Sequence, residues 1–293
     1  MKPDIQPYLT TCPVGCTSEL TNTRIVMPEG ALRTCSACGQ LVSACDESRY
    51  WSSMAEFDDP RGTMPDAKSE ARAFRRHRKF LRHLTAPLPA KPSAIRLLDV
   101  GCSSGSFLGS AVKLGYQAQG VEPAPQAAQS AASRGLKVFN GLLHEAKFAA
   151  ASFDAITLLE VIEHLKEPVP LLHECHRILR PGGVMLIGTG NAASWSAQAF
   201  GAEWEYFKIA KHGGHISFFS PDSLQRVAAA AGLTRVSLHT RTVRFSDRDS
   251  DGFAGRDPSY TVLKLTGELL NPLAAWLGQG EDMCMVFRKT SLQ

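Results

Sequence analysis

The chain has 293 residues, 44% hydrophobic and 20% charged, an ordinary globular balance that excludes a wholly disordered or collagenous chain. A net charge of +4 is too mild to argue for nucleic acid by itself. No apolar run approaches the ~18 residues of a membrane span. Met1 to Thr11 holds no apolar signal-peptide core, so the expectation is a soluble, cytoplasmic protein.

The cysteines cluster near the N-terminus. Cys12 and Cys16 form C-x3-C, Cys35 and Cys38 form C-x2-C, and 18 residues separate the pairs. Two close thiol pairs on one short loop can supply a tetrahedral zinc, and a segment too small to bury a core gains its folding energy from such an ion. Residues 1–50 therefore read as a zinc-binding, ribbon-like segment, with Cys45 a spare thiol. Residues 51–92 read as connection. The stretch 46–66 is polar and loop-like, and Asp66 to Thr85 carries a helical pattern, with Ala67, Ala71, Phe74, Leu81 and Leu84 near one stripe. Arg72, Arg75, Arg76, Lys79, Arg82 and His83 form a basic face, suited to an anionic partner or simply to solvent. A proline-rich linker, residues 86–92, follows.

From Ile95 onward short apolar runs alternate with helical segments. Strands are expected at Ile95–Val100, Gln117–Val121, Lys137–Phe139, Phe153–Leu159 and Val184–Gly188, with helices at Ser104–Leu114, Gln126–Ser133 and Val169–Leu179. That alternation specifies an α/β domain, residues 93–293, built on a parallel sheet. Ser220-Pro221-Asp222 caps a helix running to Ala231. Val236–Phe245 and Met283–Arg288 are the candidates for the last two strands. Insertions interrupt the domain at about 189–219 and 246–280; within the second, Thr261–Leu277 is amphipathic and could cap the site or form a dimer face.

Leu97-Leu98-Asp99-Val100-Gly101-Cys102-Ser103-Ser104-Gly105 joins the first of these strands to the first helix, where glycines let backbone approach a ligand. The G-x-G-x-x-G dinucleotide fingerprint is absent. Glu122, in Gly120-Val121-Glu122-Pro123, ends the second strand, where it can accept both hydroxyls of a ribose. With Phe153–Leu165 and Arg177-Ile178-Leu179-Arg180-Pro181-Gly182-Gly183, these segments resemble the class I S-adenosylmethionine-dependent methyltransferases over about residues 94–240. The resemblance implies a Rossmann-like seven-stranded sheet, six strands parallel and the last antiparallel. It implies S-adenosylmethionine at Asp99, Gly101, Cys102, Gly105 and Glu122, with its methionine end near Leu159 and Glu160. The acidic residue that many members place after the third strand is missing, so backbone near Leu142 would serve the adenine.

The first insertion holds Trp195, Phe200, Trp204, Tyr206, Phe207, Phe218 and Phe219, and is expected to fold as a lid with about three of these facing ligand. Methyl transfer to a hydroxyl needs positioning and a base or metal. The candidates are His215, then His164 and Glu160, and last His212. Alternatively Glu160, Glu163, His164 and His215 could hold a divalent ion such as Mg²⁺. A four-cysteine segment before such a domain is similar to methyltransferases of bacterial polysaccharide and natural-product pathways, and to zinc-ribbon rRNA guanine methyltransferases. A small-molecule or saccharide acceptor, most simply O-methylated in a biosynthetic pathway, is the first expectation. An RNA base is the alternative, but only the 72–83 face offers the basic surface it needs. A non-catalytic ligand-binding scaffold is a third reading, opposed by intact Asp99, Glu122 and Glu160.

Overall fold

Short cysteine-bounded strands open the chain: β1 (Leu20–Met27), β2 (Gly30–Cys35) and β3 (Leu41–Val42) form an antiparallel ribbon. The computed structural model describes residues 6–57, 67–209, 213–245 and 258–290, and His212 lies outside them. A helix, α1 (Glu47–Phe57), occupies most of the stretch expected to be a loop. Asp46 caps it, its Oδ1 accepting from the Arg49 amide at 2.7 Å. Tyr50 and Ser53 face inward, both buried, and Met54 packs partly buried beside them. The expected basic helix is α2 (Ala67–Thr85). Its Leu81 and Leu84 are fully buried, whereas His83 leaves the basic face to stack on His239, ring centroids 3.7 Å apart.

The alternating region then follows. It comprises β4 (Arg96–Val100), α3 (Ser106–Lys113), β5 (Gln117–Glu122), α4 (Pro125–Ser133), β6 (Val138–Asn140), β7 (Phe153–Leu159), α5 (Pro168–Ile178) and β8 (Leu179–Gly190). The expected strand at Val184–Gly188 is longer, because pairing along β7 begins already at Leu179. The first insertion supplies α6 (Trp195–Phe200) and β9 (Ser217–Phe218). After α7 (Pro221–Ala230) come β10 (Leu233–Arg241), α8 (Pro258–Leu277) and β11 (Asp282–Lys289). β10 ends earlier than its sequence pattern suggests, where Thr242 takes φ +65°.

The large sheet has seven strands in the order β10-β11-β8-β7-β4-β5-β6, and β11 alone runs opposite to the other six. Strands buried on both faces read as continuous apolar runs, which explains Phe153–Leu159. One face packs Leu97, Ala155 and Val286 under Leu81, Leu84 and Phe107. The other packs Leu98, Ile156 and Phe287 under Leu172, Ile178 and Val227. Truncating Leu98 or Ile156 to Ala in such a core costs ~2–5 kcal/mol. Cys12, Val14 and Cys35 belong to this second cluster, so the cysteine segment rests on the sheet's own core.

The ribbon is also joined to the lid by backbone. β9 pairs antiparallel with β3, Leu41 opposite Phe218 and Val42 opposite Ser217, giving a second sheet ordered β1-β2-β3-β9. Helix α8 packs on β10 through Ala274 and on Val243, just past the strand, through Gly267, and leaves Leu269 and Trp276 about 80% exposed. Among the described residues no helix is long and apolar enough to cross a membrane.

Candidate donor and acceptor site

A cavity of about 550 Å³ opens at the carboxyl ends of β4, β7 and β8, beside the first residues of β11. Its floor is Gly101, Cys102, Ser103 and Leu159; Arg76 and Phe80 of α2 close one side, and Trp204 and Tyr206 of the lid close another. Gly101 has φ +72°, and its amide and that of Cys102 both donate to Val121 O, at 2.8 and 3.1 Å. A Cβ there would stand 2.5 Å from Val161 Cγ2, so the turn admits only glycine. Gly105 has a different task. It has φ +81°, and a Cβ would meet Leu136 Cδ1 at 2.4 Å, which places it in the packing of α3 against Leu136 and α4.

Asp99 lines the cavity yet is only 2% exposed, with Thr157 Oγ1 donating to its Oδ1 at 2.7 Å. Burial pushes its carboxyl up to about 7, helped by the nearby Glu122 charge and opposed by the Thr157 bond. Glu122 is anchored by backbone: Ser103 N donates to Oε2 at 2.7 Å and Ala124 N to Oε1 at 2.9 Å. Burial raises the Cys102 thiol, which rests under the same loop. Leu142 is exposed, its amide donating to Glu145 Oε2 at 2.6 Å, and it does not line this cavity. Arg76 lines the cavity and makes no ion pair among the described residues, whereas Arg241 and Arg244 pair with Asp282 and Glu281.

The acceptor side centres on Tyr206. Its hydroxyl lies 2.5 Å from Glu163 Oε1, 3.2 Å from Glu160 Oε2 and 2.8 Å from Thr189 Oγ1. Glu160 sits at φ +54° and opens onto the cavity while protein encloses it elsewhere. That enclosure and the Glu163 carboxylate raise Glu160 well above the ordinary range. Burial also acts to raise Glu163, but His164, His215 and the Tyr206 hydroxyl outweigh it and bring Glu163 below its ordinary value.

His215 is buried behind Tyr206, ring centroids 4.3 Å apart, and is not part of the cavity lining. Its Nε2 stands 3.8 Å from Glu163 Oε1, and its Nδ1 donates to Tyr206 O at 3.2 Å. His164 lies edge-on to it at 4.8 Å. Of the seven lid aromatics, Trp204 and Tyr206 line the cavity, while Phe207 and Phe218 pack the lid's own core. The sequence singles out neither Tyr206 as the hub nor Arg76 as a cation of the cavity wall, although both lie in stretches it marks as aromatic or basic.

The sulfur atoms of Cys12, Cys16, Cys35 and Cys38 all lie within 4.8 Å of one another, Cys12 and Cys38 at 3.6 Å. Tetrahedral zinc with Zn–S bonds of ~2.3 Å requires sulfur separations of about 3.8 Å, so the four thiols fit the ion. Cys45 is buried elsewhere, beside Tyr50.

The strand order, the glycine turn after β4 and the carboxylate ending β5 define an S-adenosylmethionine-dependent methyltransferase. The chain belongs to the methyltransferase family, whose domain, described as "Methyltransferase domain", matches residues 72–238. The chain is 35% identical over 168 residues to the ubiquinone biosynthesis O-methyltransferase of Cereibacter sphaeroides, covering 54% of this chain and 67% of that protein. Its similarity to the enzyme of the same name from Dinoroseobacter shibae is 30% over 213 residues, 67% of this chain and 85% of that one. A SAM-dependent methyltransferase structure from Archaeoglobus fulgidus superposes with TM-score 0.53 at 19% identity, over 82% of this chain and 99% of that one. The cyclase SpnF does so with TM-score 0.52 at 18% identity, over 79% of this chain and 86% of that one. At such identities the structural likeness is one of fold alone.

Proposed function

We propose that the protein methylates a hydroxyl of a small-molecule acceptor, as one step of a biosynthetic pathway. The observation that carries this is the Tyr206 hydroxyl set between Glu160 and Glu163 at the cavity wall. S-adenosylmethionine, when bound, supplies a methyl group on a sulfonium for in-line displacement. Glu122 would accept the ribose hydroxyls, the Gly101 turn would admit the donor backbone-close, and Arg76 would meet its carboxylate. The acceptor hydroxyl takes the place of Glu160 as donor to the Tyr206 oxygen. As its oxygen gains the methyl, its proton passes to Tyr206, and the Tyr206 proton passes to Glu163 Oε1. Glu163 suits this because His164 and His215 favour its anion. His215 thus acts behind Glu163 and Tyr206, not on the acceptor itself. The O-methyltransferase names of the relatives support the choice of a hydroxyl, and Trp204 supports a cyclic acceptor with a face to stack.

A panel of catechols, phenols and free hydroxy sugars tests this, read by S-adenosylhomocysteine release and product mass. The expected result is methylation of at least one hydroxyl acceptor. Turnover confined to amines or to RNA would overturn it.

Glu163 Oε2 and His164 Nδ1 are buried without a hydrogen-bond partner among the described residues, which favours a second reading. Glu163, His164 and His215, with donor atoms within 4.8 Å of one another, would hold a divalent cation such as Mg²⁺, which lowers the pKa of a coordinated hydroxyl. EDTA then abolishes turnover and Mg²⁺ restores it; under the first reading any loss on chelation is that of the structural zinc, so Zn²⁺ restores turnover and Mg²⁺ does not. A structural zinc on Cys12, Cys16, Cys35 and Cys38 belongs to both readings.

A further inference from the structure

Helix α1 reaches the histidine pair from the side opposite the cavity. The Tyr50 hydroxyl donates to the backbone oxygen of His164 at 2.9 Å. One helical turn on, Ser53 Oγ accepts from the amide of Gly214, the residue before His215, at 2.7 Å, while donating to Tyr50 O at 2.8 Å. Gly214 has φ +66°, and a Cβ there would stand 2.4 Å from Met54 Sδ, so the helix leaves no space behind this turn. Past His215 the ribbon takes over: Ser43 N donates to Ile216 O at 2.9 Å, and β3 pairs with β9. Ile216 N in turn donates to Glu163 O at 3.0 Å, which ties the lid strand to the Glu163–His164 turn. Ser53 is fully buried and Tyr50 only 7% exposed, with Tyr8 stacked on the Tyr50 ring at 4.7 Å. Neither side chain lines the cavity.

We propose that Tyr50 and Ser53 are positioning residues for methyl transfer: from outside the site they set His164 and His215 against Glu163 and Tyr206. This rests on the hydroxyl-methylation reading for its chemistry. Two imidazoles on two separate loops need a common reference, and α1, carried in by the cysteine ribbon, is bonded to His164 itself and to Gly214, the residue before His215. Displacement of a reacting group by about 1 Å can cost 10²-fold in rate. Loss of one of these hydroxyls is therefore expected to act on turnover while sparing the donor, whose proposed contacts are Gly101, Glu122 and Arg76.

The test uses the full chain and two variants that each remove one oxygen, Tyr50→Phe and Ser53→Ala. Amide exchange in the presence of S-adenosylhomocysteine needs no acceptor. Segments 162–166 and 213–219 are expected to exchange at least about tenfold faster in both variants, with β4 and β7 unchanged and S-adenosylhomocysteine affinity within about twofold, which also certifies the fold. With the best hydroxyl acceptor of the panel, kcat falls about 10- to 100-fold while KM for S-adenosylmethionine holds. Unchanged exchange in both segments overturns the proposal. So does faster exchange with unaltered kcat, because α1 would then brace the lid without placing the reacting groups. If the unmodified protein methylates no hydroxyl, the acceptor reading fails separately, and the exchange experiment still decides whether Tyr50 and Ser53 hold the histidines.

Discussion

Tyr206 donates its hydroxyl proton to Glu163 across 2.5 Å, with the second carboxylate, Glu160, 3.2 Å from the same oxygen. A phenol has one proton to give and two lone pairs to receive with. It can satisfy one carboxylate as donor; the other must itself carry a proton to be compatible. The opposed shifts of the two acids fit that order. Enclosure and the neighbouring charge favour the neutral form of Glu160, while two imidazoles and the phenol favour the anion of Glu163. The cluster is therefore polarised from the cavity inward, with the neutral form favoured at Glu160 and the anion at Glu163.

Removing one oxygen from that chain is the sharpest probe of it. Tyr206→Phe keeps the ring against His215 and Gly190 but breaks the path to Glu163. We expect kcat to fall about 10²–10⁴-fold, the range of general acid–base catalysis. Calorimetry should find S-adenosylhomocysteine affinity within about threefold of the unmodified protein, a difference of about 0.65 kcal/mol. Nearly full turnover in Tyr206→Phe would remove the phenol from the mechanism.

Asp99 gives a pH-dependent prediction. Its carboxyl, about 7 in the fold against an ordinary 3.8, holds a proton that the unfolded chain has lost between those values. A raised acid contributes its stability below the unfolded pKa and loses it as pH rises to the folded one, at up to about 1.4 kcal/mol per pH unit. Between about pH 4 and 7 the ligand-free protein should therefore lose stability that Asp99→Asn does not lose. A cationic donor beside Asp99 favours the anion, so S-adenosylmethionine binding near pH 6 should release a proton. Calorimetry in buffers of different ionisation enthalpy measures that release, and Asp99→Asn should abolish it.

The middle of the sheet was legible because β4, β7 and β8 are apolar runs that end at a glycine or an acid. Phe153–Leu159 falls on its expected residues, Asp99 and Gly101 line the cavity, and Glu122 ends β5. What escaped sequence reading was long-range. The pattern Tyr50, Ser53, Met54 and Phe57, at i, i+3, i+4 and i+7 after the cap Asp46, was there to mark α1. Its polar composition masked it, because Ser53 is buried by a hydrogen bond to Gly214 and not by hydrophobicity. The two-residue strand β9 has no periodicity to show. Likewise no local pattern could distinguish Tyr206, which meets Glu163 across 43 residues, from Phe207, which packs inward.

Glu122 offers a test of the donor side. Both its oxygens are held by the amides of Ser103 and Ala124, so the carboxylate is presented in a fixed orientation. Losing a charged hydrogen-bond acceptor costs roughly 1.5–3 kcal/mol, and Glu122→Ala should weaken S-adenosylhomocysteine binding about ten- to hundredfold. Glu122→Gln, which keeps an acceptor oxygen but no charge, should fall between. Equal affinity in all three proteins would place the ribose elsewhere.

The cysteine segment makes the last prediction. Purified protein should carry one zinc per chain, bound by Cys12, Cys16, Cys35 and Cys38, and elemental analysis measures it. Removal of the ion should not simply release a tethered module, because Cys12, Val14 and Cys35 pack into the same core as Leu98 and Phe287. Four uncoordinated thiols would remain there, and β3 would lose the anchor from which it pairs with β9. Chelation is therefore expected to lower the melting temperature of the whole protein and to speed amide exchange at Ser217–Phe218. The turn at Gly101 is held by bonds to Val121 of the neighbouring strand and by none to the ribbon among the described residues. S-adenosylhomocysteine binding should then survive within a few-fold at temperatures below melting, while turnover falls. Loss of donor binding in step with the metal would mean that the ribbon holds the sheet itself; full turnover without metal would mean that it holds neither.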